Sequence, residues 1–147
     1  MKEFVFETRF CLPRPREEIF DFFAETRSLE TITPPWLKFE VLTPAPIVLR
    51  VGAQINYRIR VHGVPFRWCT DIVEWQPPVL FTDVQRSGPY RFWRHTHRFE
   101  EQNGGTLCID HVRYWPRGGA LLNALFVRRD VERIFSYREQ RLKELLG

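Results

Sequence analysis

Hydrophobic side chains recur with two different periods along this chain, and the changes of period mark out its elements. Residues 3–11 alternate, with Phe4, Phe6, Thr8 and Phe10 on one side and Glu7 and Arg9 on the other. That predicts a strand, ended by Pro13 and Pro15. Pro15, followed by Arg16, Glu17 and Glu18, opens a short helix whose apolar face is Ile19, Phe20, Phe22 and Phe23. Proline is tolerated in a first helical turn, and carboxylates there favour the helix dipole. A second short helical piece, about Thr26 to Ile32, stops at Pro34-Pro35. The period then becomes two, which predicts strands over 36–42, 53–61, 64–76, 80–86, 90–101 and 105–115. Pro44/Pro46, His62-Gly63, Pro77-Pro78, Ser87-Gly88-Pro89 and Asn103-Gly104 separate them. Over 53–61 the alternation is clean, with Ile55, Tyr57, Ile59 and Val61 facing one way, as expected of a sheet with one wet face. From about 120 to 146 the helical period returns through Leu121, Leu125, Val131, Ile134, Phe135, Arg138, Leu142 and Leu145.

The predicted order is therefore one strand, two short helices, six antiparallel strands and one long helix, an α+β arrangement. A sheet that long curls, and the last helix is the element large enough to cover its inner face. The 147 residues suit a single domain spanning 1–147.

The strand over 90–101 carries the most chemistry. Trp93, His95, His97 and Phe99 share one face; Arg94, Thr96, Arg98 and Glu100 share the other, which suits solvent. If Asn103-Gly104 forms a two-residue type I′ turn, Asp110 lies opposite His97 and Tyr114 opposite Trp93. Three readings of this inward cluster compete. It is a buried His/Asp pair that fixes register, a polar anchor in a ligand pocket, or a metal or acid/base site. The metal case is the weakest: Glu100 has the wrong parity and His111 faces outward, which leaves Asp110 or Asp83 as a third ligand. No metal is expected. On neighbouring strands Phe66, Trp68 and Thr70 form another inward set, while parity does not decide which way Asp83 and Gln85 face.

Composition adds one unusual feature, an aromatic load of 13 Phe, 5 Trp and 4 Tyr. Such residues either line a pocket for flat apolar molecules or fill the core outright. The net charge of +4 comes from dispersed residues, with no polybasic run beyond Arg128-Arg129, so no nucleic-acid partner is expected. Cys11, Cys69 and Cys108 are isolated, and no CxxC pair, nucleophile elbow or glycine-rich phosphate loop appears; no cofactor is implied. Glu3 and Glu7 near the start do not read as a secretory signal, and no apolar run is long enough to span a membrane, so a cytoplasmic location is the expectation. The turns from Ala120 to Val127 are apolar nearly all round and adjoin Arg128-Arg129. They read either as a solvated helix face or as a lid over a pocket mouth able to make transient membrane contact.

The segments Ser87–Glu100 and Leu125–Arg138, with Arg67-Trp68, Glu74–Pro78 and Asp110–Tyr114, resemble a bacterial branch of the START-like (SRPBCC) superfamily, whose members are labelled polyketide cyclase/dehydrase-like or ligand-binding proteins. The resemblance covers essentially the whole chain. It implies a helix-grip fold, in which a curved seven-stranded antiparallel sheet grips the C-terminal helix. It also implies a cavity between the two for lipids, sterols, polyketides or similar molecules. On this reading the pocket is lined by Tyr57, Trp68, Trp93, His95, His97, Asp110 and Tyr114, with Val131, Ile134 and Phe135 from the helix. The enzymatic alternative is a cyclase or dehydratase with His95 or His97 as general acid/base, oriented by Asp110. A third alternative is a structural or partner-binding domain with a filled core.

Overall fold

In the computed structural model, which describes residues 3–147, the alternating segments pair into one antiparallel sheet. Its strands are β1 (Phe4–Leu12), β2 (Glu40–Val41), β3 (Gln54–Val61), β4 (Val64–Gln76), β5 (Leu80–Ser87), β6 (Tyr90–Gln102) and β7 (Gly105–Pro116). The order across the sheet is β1-β7-β6-β5-β4-β3-β2, so that only β1 pairs with a strand distant in sequence. Between β1 and β2 lie the short helices α1 (Arg16–Ala24) and α2 (Ser28–Ile32). After β7 the chain runs through α3 (Gly119–Leu122), a π-helical turn (Asn123–Val127) and α4 (Arg128–Leu146). This is the helix-grip arrangement, with α4 lying in the hollow of the curved sheet.

Two hairpins set the register. His62-Gly63 and Asn103-Gly104 both have positive φ at each position (49° and 80°, 50° and 80°), the geometry of a type I′ turn, whose twist matches that of the strands. The second places Trp93 opposite Tyr114 and His97 opposite Asp110, as the turn chemistry predicts. The β4–β5 ladder shifts register between Ile72 and Glu74 and again between Cys69 and Thr70. Such bulges add bend and twist to the strands that carry them.

The inner face buries two hydrophobic clusters. One gathers Phe10, Leu12, Ile19, Phe20, Phe23, Phe81, Phe99 and Leu142, and it closes one end of the sheet beneath α1. The other joins Phe6, Trp93, Val112 and Tyr114 to Val131 and Phe135 of α4. Burying each such side chain stabilises the fold by about 1.5–3 kcal/mol.

Two expectations need correction. Trp36 to Leu42 is not a continuous strand: Pro35–Leu37 is a 3₁₀ turn, Lys38 is left-handed at φ 49°, and only Glu40–Val41 pairs with β3. The prolines at 34 and 35 favour the tight turn over an extended start. The final helix is not uniform either. Leu121, Leu125 and Leu145 share its helical spacing yet are exposed, and Leu146 takes the buried place at the C-terminal end.

Candidate functional site

A cavity of about 500 Å³ lies between the inner face of the sheet and α4. Tyr57, Ile59 and Val61 of β3, Trp68 of β4 and Tyr90 and Trp93 of β6 wall it from the sheet. Asp130, Arg133, Ile134, Phe135 and Arg138 face it from α4, and Trp36, Leu37 and Phe39 from the turn before β2. Alternation puts Tyr57, Ile59 and Val61 of β3 and Trp93, His95 and His97 of β6 on one face, and the register shift between Tyr90 and Phe92 brings Tyr90 to it as well. The aromatic load thus divides. Phe10, Phe20, Phe23, Phe81 and Phe99 are core, while Trp36, Trp68, Trp93, Tyr57 and Tyr90 line the cavity.

Of the ten pocket residues expected from the sequence, Tyr57, Trp68, Trp93, His95, His97, Ile134 and Phe135 lie on the cavity wall. Asp110, Tyr114 and Val131 are not on it. Val131 and Tyr114 are fully buried behind the wall, and the Tyr114 hydroxyl donates to Asn123 Oδ1 at 2.7 Å. Asp110 sits one layer deeper, where it holds the polar cluster together.

That cluster is the chemical centre of the cavity. Asp110 Oδ1 accepts from His95 Nε2 at 2.7 Å and from Arg138 Nη2 at 3.3 Å, and Oδ2 receives the Thr8 hydroxyl at 3.4 Å. His97 Nε2 lies 2.8 Å from Asp83 Oδ2, and its Nδ1 lies 3.1 Å from Arg138 Nη2. Arginine only donates, so His97 Nδ1 accepts and the ring proton sits on Nε2, donated to Asp83. The two imidazoles stack at 3.6 Å, and Phe81 stacks on the far side of His97 at 4.0 Å. The opposed pair in the register, His97 and Asp110, is therefore not the hydrogen-bonded pair. His97 turns towards Asp83 on β5, and His95 takes Asp110 diagonally.

Electrostatics follow from burial and from Arg138. Burial would raise the Asp110 carboxyl, but the guanidinium and the His95 hydrogen bond outweigh it and hold Asp110 below the usual carboxylate range. Asp83 goes the other way: burial pushes it up, and His95 and Arg138 only partly offset that. His97 is driven well below the ordinary histidine value, first by burial, with the Arg138 guanidinium adding to the effect, so it is neutral at physiological pH. Burial also raises the phenols of Tyr57 and Tyr90, which stay protonated on the wall.

Parity left Asp83 undecided, and the structure turns it inward, opposite His95. Arg138 and Arg133 had no assigned role. The available signal was an arginine among the apolar positions of an amphipathic helix: Arg138 lies in the row of Val131, Ile134, Phe135 and Leu142, and its side chain is only 12% exposed. Ala120 to Val127, by contrast, contribute nothing to the cavity wall and are not a lid on it. They run past the sheet, tethered by Tyr114 and Asn123.

Asp83, His95 and His97 place one donor atom each within 4.8 Å of one another. Their surroundings fit a metal poorly. A metal-bound imidazole normally donates its second N–H to an acceptor, but His97 Nδ1 instead faces the donor Arg138. A dication there would also lie beside that guanidinium.

No match was found among curated proteins. Solved structures give the fold. A protein from Mycobacterium smegmatis, Ms6760, aligns at 20% identity and a TM-score of 0.73 over 97% of this chain and 90% of its own. Ginseng major latex-like protein 151 from Panax ginseng, at 9% identity, reaches 0.72 over 98% and 97%. A nucleoside-diphosphate sugar epimerase from Corynebacterium glutamicum aligns at 26% identity and 0.67; the match covers 95% of this chain and 28% of the epimerase. A family model described as polyketide cyclase / dehydrase and lipid transport matches residues 12–143, nearly the whole length described above. The chain belongs to that polyketide cyclase / dehydrase and lipid transport family, within the START-like superfamily whose fold its sheet and helix adopt.

Proposed function

We propose that the protein binds a small hydrophobic molecule, of lipid, sterol-like or polyketide-like character, and carries or sequesters it in the cavity between the sheet and α4. The observation that supports this best is the make-up of the wall. A space of about 500 Å³ is lined mainly by aromatic and aliphatic side chains, with Asp83, His95, His97 and Arg138 gathered into one hydrogen-bonded group. Pockets of about 300–1,000 Å³ with apolar walls and a few convergent polar groups are the usual form of small-molecule sites. A ligand with an apolar body and one hydroxyl, carbonyl or carboxylate matches that division.

Native mass spectrometry of freshly purified protein tests the reading, together with uptake of a fluorescent fatty acid. The wild type is expected to carry or take up a ligand, and Ile134→Trp, which fills the space from α4, to lose it while staying folded. Folded wild-type protein with neither adduct nor uptake overturns the proposal.

A second reading rests on the His95–Asp110 pair. His95 reaches the buried Asp110 carboxylate through Nε2, and in the tautomer that donates there Nδ1 carries the ring lone pair. A cyclase or dehydratase acting on a polyketide-like chain would use His95 as general base, oriented by Asp110, because both nitrogens of His97 are already engaged. Turnover lost in His95→Gln but kept in a folded His97→Gln supports it. Absence of turnover by the wild type on such substrates removes it.

A further inference from the structure

The helix that follows β7 is amphipathic in the reverse sense. From Ala120 to Phe126 the one buried residue is polar: Asn123, 8% exposed and bonded to the Tyr114 hydroxyl. Leu121, Leu122, Leu125 and Phe126 face outward at 69%, 39%, 56% and 56% exposure. In an ordinary surface helix those positions would be turned to the core. Here the core side is fixed by a polar bolt, and the apolar side has nothing to cover it among the described residues.

In sequence, the charges that bracket this patch have one sign. Between Asp110 and Asp130 the sequence holds Arg113, Arg117, Arg128 and Arg129 and no acidic residue. Arg113 is paired with Glu3, and Arg128 is tied to Val5 O and Glu132. Arg117, which donates to Gly88 O at 3.1 Å, and Arg129 are exposed and flank the four apolar side chains in sequence. Exposed leucine and phenylalanine between exposed arginines is the chemistry of a helix lying in a lipid interface, with its apolar side in the acyl boundary and its cations among anionic headgroups. A second copy of the chain suits the patch less. Self-pairing across a two-fold axis would gather Arg117 and Arg129 of both copies around one interface. Four side chains also fall short of the roughly 1,000 Å² a stable interface needs.

We propose that the turns from Ala120 to Phe126 are a membrane-docking surface, selective for anionic lipid and reversible. Insertion is shallow, since no helix among the described residues is long and apolar enough to cross a membrane. The position relates docking to the cavity. Val127, which ends the π-helical turn, packs in the cluster that holds Trp68, Tyr90 and Ile134, and those three residues line the cavity. Docking would thus set the cavity close to the lipid phase without the docking residues forming its wall.

Co-sedimentation with vesicles tests this independently of any cargo. The wild type should bind phosphatidylcholine–phosphatidylglycerol vesicles and not pure phosphatidylcholine, and high salt should weaken the binding. The double variant Leu125→Glu/Phe126→Glu, at exposed positions away from the cavity, should keep its circular dichroism and its fatty-acid uptake and lose about tenfold or more of vesicle binding. Arg117→Glu/Arg129→Glu should lose the preference for the anionic lipid. Wild-type protein that stays in the supernatant with anionic vesicles overturns the proposal. So does equal binding by the wild type and the Leu125→Glu/Phe126→Glu variant. A concentration-dependent dimer dissolved by those same substitutions would reassign the surface to self-association.

Discussion

Replacing Arg138 with methionine keeps an unbranched apolar stem on α4 and removes the guanidinium alone. Asp110, which is 4% exposed, then loses the cation beside Oδ1 and keeps His95 at 2.7 Å and Thr8 at 3.4 Å. Removing one partner of a buried ion pair costs about 3–5 kcal/mol, because the remaining charge stays out of water. Two surviving hydrogen bonds place this case near the lower end. A further offset of about 1 kcal/mol arises because Arg138 Nε, buried with no partner among the described residues, no longer has to be desolvated. A net loss of about 2–3 kcal/mol is expected. Urea unfolding followed by tryptophan fluorescence near neutral pH measures it, with an unchanged m-value showing that the variant still folds as one unit. Asp110→Asn supplies the control. In the double variant the two losses should fall short of their sum by about 1–3 kcal/mol, the range for residues in direct contact. A loss below about 1 kcal/mol for Arg138→Met, or additivity within about 0.5 kcal/mol, would falsify the assignment of Arg138 as the ion that holds Asp110 charged.

Tyr114→Phe strands the Asn123 amide behind the cavity wall and should lower stability by about 1–3 kcal/mol in thermal unfolding, with the larger loss of protection in hydrogen exchange at Ala120–Val127; an unchanged melting temperature would remove the tether. His97 has a lowered value in the folded state, so its contribution is complete above the unfolded value of about 6.5 and is lost as pH falls towards the folded one, at up to about 1.4 kcal/mol per pH unit. Its ring proton resonances should show no titration near pH 6.5, and a midpoint there would contradict the burial argument. Asp83 has the opposite sign: its value is raised, so the stability it contributes is present below about 3.9 and is lost as pH rises through the folded value. Asp83→Asn, which removes that term, should therefore flatten the pH dependence on the alkaline side of about 3.9, as read from urea midpoints. Gly105→Ala places a Cβ 2.5 Å from Leu12 O at the end of the β1–β7 ladder and should cost about 1–3 kcal/mol; a neutral substitution would mean that the strands separate there without penalty.

The layout of the sheet is readable from the chain because its signals are local. Asn103-Gly104 fixes a two-residue turn, the turn fixes the register, and the register fixes which side chains share a face. Where the governing physics is not local, the reading stops short. Pro34-Pro35 disfavours an extended start at Trp36, but the packing of Trp36 against Tyr137 and Arg133 of α4, which accompanies the 3₁₀ turn, lies beyond any local signal. The outward leucines of Ala120–Phe126 mislead for a related reason. Helical spacing marks a face as apolar, but whether that face meets the sheet depends on where β7 releases the chain and on the single bond to Asn123.

The polar cluster shows the same limit at the scale of one bond. Register makes His97 and Asp110 neighbours, and pairing them is the natural inference from opposition alone. The structure assigns His95 to Asp110 because His97 has a second suitor on its other side, Asp83, and because Arg138 Nη2 bridges His97 Nδ1 and Asp110 Oδ1, which stand 3.6 Å apart. Both facts depend on elements the β6–β7 hairpin does not contain: the direction in which β5 presents Asp83, and the projection of an arginine from α4. The consequence is chemical. With His97 fixed between an acceptor and a donor, its protonation is set by the protein, whereas His95 keeps one ring nitrogen outside the cluster's hydrogen bonds and lies on the cavity wall. Whatever polar group a ligand brings to this cavity meets one committed imidazole and one available one, and the difference arises from β5 and α4 rather than from the strand that carries both.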